Sequence, residues 1–472
     1  MGRWDGLYAR LPVAGQHLAV TAYGLYWRRL RFGSGFEEAL ACFRAREHWS
    51  AEEWRAQESN ELRALLSRAA AEVPYYRETW GERERKGAAA GRLEELPLLS
   101  KEPIRADPEA FLLDSLRSRR LLRFHTSGST GTPIHTLWTV AELRASMALR
   151  EARSASWAGV SFRLPRATFS GRLVEPDPES SGPFYRYNAA ERQVYLSPFH
   201  LRPDTAARYV EALRKHRVEW LTGYAVSYFL LARMILEQGL SVPPLAAVIT
   251  TSEKVTPGMR EVMQAAYRCR VFEEYSTVEN VLFASECEKG RLHVSPDAGV
   301  VEILRPDGSR CTVGETGEVV ATSLIRTGQP FIRYRLGDLA RWSGEICPCG
   351  RAMPVLEEVV GRIEDVVVGP DGRQMVRFHG IFVDQPNVRE GQIVQEALDR
   401  IRVRVVPTDR FGPADEEEIR RRVTQRLGPG VEVVVDQVTV IPRTSGGKFR
   451  AVVSKIASGA PGRVPAEPGS KT

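Results

Sequence analysis

The sequence predicts an α/β protein with a large, multi-layered N-terminal domain, which carries doubly wound sheets and a β-rich subdomain, and a small, mobile α+β domain at its C-terminus. Three observations lead to this fold class. The chain of 472 residues is too long for a single ordinary core. Strand-like and helical segments alternate through its middle, which favours a largely parallel sheet with a site at the strand ends. After about Gly290, short β segments follow one another.

The N-terminal half contains several well-marked elements. Ser50-Ala-Glu-Glu53 is a capping box and predicts a helix that continues to about Ala71. Thr256-Pro257 combines a cap with a first-turn proline and predicts a helix to about Tyr267. Periodicity further predicts the helices Asp204–His216 and Ala225–Glu237 and the strands Val218–Leu221, Leu245–Thr250 and Arg270–Glu274.

The C-terminal half has a different pattern. Turn residues such as Pro306-Asp-Gly308 separate short apolar segments, which predicts a small barrel or sheet packed on the main domain. The strands expected here are His293–Val294, Val300–Leu304, Glu318–Ser323 and Phe331–Tyr334. Further on, a compact α+β module is expected from the strands Val366–Val368, Ile401–Val406 and Val431–Ile441 and the charged helix Ala414–Leu427.

Composition excludes some classes of function. A hydrophobic content of 43% and a charged content of 26% are typical of globular proteins. The net charge is +7, but the arginines are dispersed and no nucleic-acid-binding motif is present, so no nucleic-acid partner is expected. No apolar run is long enough to predict a transmembrane helix.

The stretch Leu11–Trp27 is moderately apolar and is followed by Arg28-Arg-Leu-Arg31. Gln16 and His17 interrupt it and no small-residue cleavage site follows, so a signal peptide is not expected. Two placements remain open, a helix on an anionic membrane face and a helix docked on the large domain. We expect the second, in a cytoplasmic protein with at most peripheral membrane contact, and the oligomeric state stays open.

The most distinctive segment is Thr126-Ser-Gly-Ser-Thr-Gly-Thr-Pro133, which follows the apolar segment 121–124. Glycine permits close backbone approach, and N–H and hydroxyl groups of such a loop can donate to a polyphosphate. It is not a Walker P-loop, because its two glycines are only three residues apart and no lysine follows. A flexible linker is the alternative. The expected phosphate ligands are Thr126, Ser127, Gly128, Ser129, Thr130 and Gly131.

A second glycine-flanked turn, Ser445-Gly-Gly-Lys448, lies far downstream, in a chain where lysines are scarce and arginines abundant. A mobile ammonium group suits the negative charge that develops when a carboxylate attacks an α-phosphate. A lysine on an exposed hairpin is the alternative.

These two segments resemble the signature motifs of the adenylate-forming superfamily, which includes acyl-CoA synthetases, peptide-synthetase adenylation domains and luciferases. Tyr275-Ser-Thr-Val-Glu279 resembles its Y-G-x-x-E motif, with Ser276 in place of the usual glycine. Tyr334-Arg-Leu-Gly-Asp338 resembles Y-R-x-G-D, and Gly361-Arg-Ile-Glu-Asp365 resembles the G-R-x-[DEK] hinge. The five motifs occur in the family's order.

Further segments resemble one branch of that superfamily, the phenylacetate–CoA ligases and their CapK-like relatives of capsule polysaccharide biosynthesis. They are Val73-Pro-Tyr-Tyr76, Glu286-Cys287 and Cys347-Pro-Cys-Gly-Arg351. Members of this branch usually lack the lysine that ends the phosphate loop elsewhere, and here Ile134-His135 occupy that place.

The resemblance implies the domain boundaries. The large domain is expected over residues 1–363, with its β-rich subdomain at about 291–360. The small lid domain is expected over 364–458 with Glu364 as its hinge, and the tail 459–472 is expected to be disordered from its composition.

The resemblance also implies an ATP- and magnesium-dependent acid–thiol ligase, which forms an acyl adenylate and then a thioester with a thiol, for which coenzyme A is expected. The implied catalytic residues are Lys448, Glu279 and Arg362, and Glu279 is also the implied magnesium ligand. The other implied nucleotide ligands are Ser252, Glu253 and Tyr275 for adenine and Asp338 for the ribose. An adenylyltransferase without a thiol step, acting on a cofactor or a polysaccharide-pathway intermediate, is the alternative.

Four further residues are candidate ligands of a structural zinc ion, namely Cys287, His293, Cys347 and Cys349. Three thiolates and one imidazole match a tetrahedral Cys₃His site. Their spacing is looser than that of paired C-x₂-C motifs, so ordinary buried thiols are the alternative.

The acid substrate is poorly defined. Ser197-Pro-Phe-His200 and Gly223-Tyr-Ala-Val-Ser227 resemble pocket-lining positions of the branch, and their aromatic content favours an aryl or medium-length acyl acid. His200 is expected to be an interior histidine in preference to a catalytic one.

Overall fold

The structure is a computed structural model. It describes residues 8–126, 134–170, 174–175, 177, 180–253, 255, 257–359, 367–372, 374–375, 381–382, 385, 387–439, 441 and 452–456.

Helices dominate the N-terminal part of the chain, and strands dominate the remainder. The α-helices are α1 Val13–Arg31, α2 Phe36–Ala45, α3 Ala51–Glu72, α4 Pro74–Thr79, α5 Glu82–Ala89, α6 Lys101–Ala106, α7 Val140–Leu149, α8 Ala206–Lys215, α9 Ala225–Glu237, α10 Pro257–Tyr267 and α11 Pro413–Leu427. The strands are β1 Leu122–His125, β2 His135–Trp138, β3 Arg166–Phe169, β4 Tyr185–Asn188, β5 Gln193–Leu196, β6 Trp220–Tyr224, β7 Ala247–Thr251, β8 Arg270–Ser276, β9 Phe283–Glu286, β10 Leu292–Val294, β11 Gly299–Leu304, β12 Gly317–Ser323, β13 Tyr334–Trp342, β14 Val355–Val359, β15 Val367–Val368, β16 Gln374–Met375, β17 Val388–Ala397, β18 Arg400–Pro407, β19 Glu432–Gln437 and β20 Val452–Ser454.

Several helices begin where the sequence predicts. Helix α3 starts at the expected capping box, in which the Ser50 hydroxyl accepts from the N–H of Glu53 and the Glu53 carboxylate accepts from the N–H of Ser50. Helix α7 is capped in the same way by Thr139 and Glu142. No helix in these described ranges is long and apolar enough to cross a bilayer.

A sheet of 12 strands forms the centre of the large domain, in the order β11-β12-β13-β14-β10-β9-β8-β7-β6-β3-β5-β4. Five consecutive strands of this sheet, β5, β3, β6, β7 and β8, are parallel to one another. Their apolar residues alternate between two cores, as a doubly wound sheet requires. Leu221, Val248 and Val271 pack on α9 and α10, whereas Trp220, Ile249 and Phe272 pack on α2 and α7.

The antiparallel half of this sheet corresponds to the β-rich segment that the sequence predicts after Gly290. It is not a separate barrel or sheet, because β9 pairs with both β8 and β10 and so continues the parallel half. The predicted strand Phe331–Tyr334 is also wrong, since the strand begins at Tyr334 and runs to Trp342. Arg333 has a φ of 51°, which no β-strand accommodates.

The C-terminal part is a smaller α+β unit. Its four strands have the order β19-β18-β17-β20, and helix α11 packs on them through Ile419, Val423 and Leu427. Phe199 of the large domain packs against the same core, and Arg202 pairs with Asp371 at 3.4 Å.

Candidate active site and metal centre

The predicted phosphate loop lies at the tip of the β1–β2 hairpin. Thr126 and Ile134 close its base, because the Thr126 N–H donates to the Ile134 carbonyl at 3.0 Å and the Ile134 N–H donates to the Thr126 hydroxyl at 3.0 Å. The remaining predicted phosphate ligands, Ser127, Gly128, Ser129, Thr130 and Gly131, lie outside the described residues. The described part therefore shows the two hairpin strands that flank this segment in the chain, with helix α7 following β2.

Two predicted motifs meet through a reciprocal pair of hydrogen bonds. The Tyr275 hydroxyl, near the end of β8, donates to Oδ2 of Asp338 at 3.0 Å. The Tyr334 hydroxyl, at the start of β13, donates to Oε1 of Glu279 at 2.8 Å. Each motif's tyrosine thus holds the other motif's carboxylate. We call these four residues the tyrosine–carboxylate cluster.

The two carboxylates of this cluster differ in exposure. Glu279 is buried, and Asp338 is half-buried. A buried carboxylate is stable as an anion only when hydrogen bonds or cations compensate for its lost hydration. The phenol of Tyr334 provides one such bond to Glu279.

A buried arginine holds the backbone around this cluster. The Arg326 guanidinium donates to the carbonyls of Glu279 at 3.0 Å and Leu137 at 2.6 Å, and to Oε1 of Gln329 at 2.8 Å. Burial lowers the pKa of Arg326 to about 10, with Glu142 and Glu279 opposing that shift. The group therefore stays cationic at neutral pH. It connects the Glu279 segment to β2, the second strand of the phosphate hairpin.

Sequence reasoning missed Arg326, and it also missed the role of Glu142. Oε1 of Glu142 accepts from the N–H of Gly328 at 2.8 Å, and its other oxygen caps helix α7 through the Thr139 N–H at 2.7 Å. Neither residue stands in a recognisable motif, since both act through partners that are distant in sequence. The sequence shows only an arginine two residues before Gly328, which does not reveal its burial.

The predicted adenine ligands lie at the carboxyl ends of β7 and β8. Ser252 follows β7 directly and has a φ of 71°, a left-handed conformation that serine rarely adopts. Glu253 is next to it and is half-buried. Adjacent parallel strands bring both residues to the same edge of the sheet as Tyr275, as the resemblance implies.

Three predicted residues, Arg362, Glu364 and Lys448, lie outside the described residues. Strand β20, which follows Lys448 in the chain, pairs in parallel with β17 of the C-terminal sheet. The catalytic and hinge roles of these residues stay predictions.

The four predicted zinc ligands lie together, and we call them the thiol–imidazole cluster. The Sγ atoms of Cys287 and Cys347 are 3.6 Å apart, and Sγ of Cys349 is 3.4 Å from Nε2 of His293. All four candidate ligand atoms lie within 4.8 Å of one another. No disulfide joins the six cysteines of the chain.

The surroundings of this cluster suit a closed tetrahedral site. Nδ1 of His293 donates to the Met353 carbonyl at 3.0 Å, which leaves Nε2 as the ligand atom. Burial lowers the pKa of His293, so its ring is neutral at pH 7. Arg351, which stacks 4.4 Å from the Trp157 ring, supplies positive charge beside Cys349. Three cysteine sulfurs and one imidazole make a ligand set that fits zinc, and four protein ligands would leave no position for a substrate.

The residues predicted to line an acyl pocket are mostly internal. His200 is buried, with Nδ1 2.8 Å from the Ser197 hydroxyl and Nε2 2.8 Å from the Asp177 carbonyl. His200 is therefore an interior histidine, as expected. Gly223 has a φ of 130°, and a Cβ there would lie 2.0 Å from the Phe169 carbonyl oxygen, so a side chain is excluded.

Solved structures of a CoA ligase share the fold of the 12-stranded sheet and the smaller C-terminal unit. 2-Hydroxyisobutyryl-CoA ligase, in complex with 2-HIB-AMP and CoA in the thioesterification state, matches with a TM-score of 0.55 and 23% identity over 87% of this chain and 91% of its own. In its postadenylation state with R3-HIB-AMP, the same ligase matches with a TM-score of 0.54.

Sequence relatives indicate which branch of the superfamily this chain resembles. The CapK C-terminal domain family matches residues 369–455. Protein CapK of Staphylococcus aureus is 24% identical over 95% of this chain and 99% of its own length. Phenylacetate-coenzyme A ligase of Thermus thermophilus is 25% identical over 85% and 96%. These relatives support the CapK-like and phenylacetate–CoA ligase branch of the adenylate-forming superfamily, which the motifs predict.

Proposed function

We propose that this protein activates a carboxylic acid with ATP to an acyl adenylate and then transfers the acyl group to a thiol, for which coenzyme A is the expected acceptor. The observation that carries the proposal is the reciprocal bonding of Tyr275 to Asp338 and of Tyr334 to Glu279. These two bonds connect the tyrosine of each motif to the carboxylate of the other, and both motifs are proposed parts of the nucleotide site. The names of the relatives, which are CoA ligases, support the same reaction.

Each part of the proposed site has a role that matches its chemistry. The loop from Thr126 to Gly131 binds the phosphates of ATP, and Asp338 accepts from the ribose hydroxyls. Glu279 is the proposed magnesium ligand, because a carboxylate oxygen is a ligand that magnesium prefers, and Thr130 is proposed to contribute to the same site. A magnesium ion held there would supply positive charge to balance the phosphates. Ser252, Glu253 and Tyr275 border the adenine ring.

In the first half-reaction, an oxygen of the substrate carboxylate attacks the α-phosphorus of ATP. A bond forms between them, the bond to the oxygen that bridges the α- and β-phosphates breaks, and pyrophosphate leaves. Lys448 is proposed to contact the attacking carboxylate and the α-phosphate, and Arg362 to add positive charge. The product is the mixed anhydride of the acid and AMP.

In the second half-reaction, the sulfur of the acceptor thiol attacks the acyl carbon and loses its proton. A thioester forms and AMP leaves. We propose that the domain 364–458 turns about Glu364 between the two steps, so that Lys448 is present for adenylation and absent for thioester formation. ATP and coenzyme A are cytoplasmic metabolites, so the reaction places the protein in the cytoplasm.

We further propose that the thiol–imidazole cluster holds a structural zinc ion. The proximity of Cys287, His293, Cys347 and Cys349 supports this assignment, together with the bond that orients His293. Such an ion would join the segments after β9 and before β14, which are distant in sequence.

A screen of carboxylic acids by pyrophosphate release, with and without coenzyme A, tests the proposed reaction. We expect at least one acid to release pyrophosphate, and coenzyme A to convert that acid to its thioester. ATP turnover that requires no acid, or an AMP-modified product that accumulates whether or not coenzyme A is present, would contradict the proposal.

The variant Lys448→Ala tests the two-step arrangement. It is expected to lower ATP–pyrophosphate exchange by about a hundredfold to a thousandfold, as loss of one transition-state charge contact does, and largely to spare thioester formation from a supplied acyl adenylate. Lys455→Ala is the matched control, because Lys455 lies on the same segment and pairs only distantly with Glu396 at 3.9 Å. Equal loss of both half-reactions in Lys448→Ala would count against the alternation.

A further inference from the structure

Helix α1 attaches to the protein through its polar side. Nδ1 of His17 accepts from the N–H of Tyr187 at 2.9 Å, and the Thr21 hydroxyl accepts from the N–H of Ala189 at 3.1 Å. Gly24 lies so close to Asn188 that a Cβ would be 2.1 Å from the amide oxygen. Strand β4 is the edge of the 12-stranded sheet, and these contacts cover its outer backbone groups.

The opposite side of α1 is apolar and faces outward. Ala14, Leu18, Ala22 and Leu25 recur at helical spacing on this side, and all four are exposed. The large apolar or aromatic side chains that α1 exposes are Leu18 at 71%, Leu25 at 58%, Tyr23 at 51% and Tyr26 at 51% of their full area. An ordinary surface helix has the reverse arrangement, with its apolar side buried.

The charged residues of α1 indicate which kind of surface its outward side can bind. The last turn of α1 contains Arg28, Arg29 and Arg31, and the whole helix contains no acidic residue. Arg29 is exposed on the outward side. Tyrosine and tryptophan side chains suit a boundary between water and an apolar phase, because each combines an apolar ring with a polar atom. Tyr23 and Tyr26 are exposed, whereas Trp27 is half-buried and packs towards the protein.

We propose that helix α1 lies on an anionic membrane surface, with Leu18 and Leu25 in the boundary between headgroups and acyl chains and Arg29 on the phosphates. This surface goes beyond the proposed reaction and does not depend on it. The apolar and aromatic side of α1 would contact the boundary between headgroups and acyl chains. The cationic end of the helix would contact the anionic headgroups.

Arg31 pairs with Glu191 at 3.2 Å and Arg28 donates to the Ala190 carbonyl at 2.9 Å, so Arg29 is the arginine that faces outward for a headgroup. A second copy of α1 would cover the apolar residues but has no carboxylate to offer to Arg29.

The Trp27 ring also lies 5.8 Å from the Phe124 ring of β1. The β1–β2 hairpin therefore packs against α1 through Trp27, on the side of the helix away from Leu18 and Leu25.

Flotation of the full-length protein with vesicles tests the proposal. One set of vesicles contains equal parts of phosphatidylcholine and phosphatidylglycerol, and the other contains phosphatidylcholine alone. We expect the protein to float with the first set, to float much less with the second, and to be released by high salt. The double variant Leu18→Glu/Leu25→Glu should bind at least about tenfold more weakly, and Arg29→Glu roughly tenfold more weakly.

Matched controls separate this surface from general effects of charge. Val313→Glu replaces another exposed apolar residue, at 63% exposure, and Arg83→Glu reverses an exposed arginine on α5. Both should float like the unmodified protein. No flotation with anionic vesicles, or equal flotation of the double variant, would overturn the proposal. So would a dimer, seen by analytical ultracentrifugation, that the double variant abolishes while flotation persists, because the apolar side would then belong to a second copy.

Discussion

The tyrosine–carboxylate cluster and the thiol–imidazole cluster lie on the same sheet but are built differently. In the first, every carboxylate accepts from a tyrosine of a different motif, so the anions are held in place by donors from the protein. In the second, the four groups approach mainly one another, with sulfur–sulfur and sulfur–nitrogen distances of 3.6 and 3.4 Å. We proposed that the first arrangement binds a ligand reversibly and that the second holds a permanent cation. Changes in the first should therefore lower activity, and changes in the second should lower stability.

The largest effect is expected from Glu279→Gln. Loss of the charge at the proposed magnesium position should lower kcat/KM for adenylation by roughly a hundredfold or more, because the phosphate charge is then poorly balanced. The Tm should change little, since the amide oxygen can still accept from Tyr334. ATP–pyrophosphate exchange and thermal unfolding measure the two quantities. Glu318→Gln, at a carboxylate paired with Arg335, is the control and should retain activity. Normal exchange in Glu279→Gln would remove Glu279 from the site.

Cys347→Ser should have the opposite profile. We expect it to lose the bound zinc, measured by elemental mass spectrometry, and to lower the Tm by roughly 5 °C or more. Cys42→Ser alters an exposed, free cysteine and should change neither quantity. A metal-free purified protein with the same Tm as Cys347→Ser would show that the cluster is a set of ordinary buried thiols.

Tyr334→Phe tests how much the cross-motif bonds contribute. Removing a buried hydroxyl bonded to a carboxylate should lower adenylation about tenfold and raise the magnesium concentration needed for half-maximal rate. Tyr275→Phe removes the equivalent bond to the more exposed Asp338, so its effect should be smaller and should appear mainly in KM for ATP. A larger loss in Tyr275→Phe than in Tyr334→Phe would reverse the proposed importance of the two bonds.

The smallest effect concerns acid stability, at the edge strand far from both clusters. Burial lowers the pKa of His17, with Arg186 and Lys215 adding to it, and burial with Lys215 and His17 lowers the pKa of His216 to about 4. The ordinary histidine pKa is about 6.5, so the unfolded chain binds more protons below that pH. The Tm should therefore fall as the pH decreases from about 6.5 towards 4. His17→Gln, which can still accept from Tyr187, should weaken this dependence, and an unchanged pH profile would exclude His17 as a contributor.

Local patterns were sufficient for much of the fold. The capping box at Ser50, the helix Ala225–Glu237 and the strands that deliver Tyr275 were predicted because their signals lie within a few residues. Strand β13 was misplaced because Gly337 and Asp338 give it the composition of a turn, and only its pairing with β12 and β14 shows that it is a strand. The outward apolar side of α1 was also missed, since sequence alone does not show which side of a helix contacts the protein.

The candidate site was predicted by motif and completed by tertiary structure. Residues 287, 293, 347 and 349 were grouped correctly because ligand chemistry limits the choice of partners. The bonds from Tyr334 to Glu279 and from Arg326 to Leu137 could not be predicted in this way. Tyrosine and arginine donate to many kinds of acceptor, so side-chain chemistry does not identify their partners. These contacts depend on how β2, β8 and β13 meet.

The guanidinium of Arg326 also sets an order of events when the chain folds. It is completely buried, and it joins a carbonyl 189 residues earlier in the chain to one 47 residues earlier. Transfer of a cation out of water is unfavourable until its acceptors are present, so this junction closes only after distant segments have assembled. A refolding chain should regain its helical circular dichroism early and its affinity for ATP last.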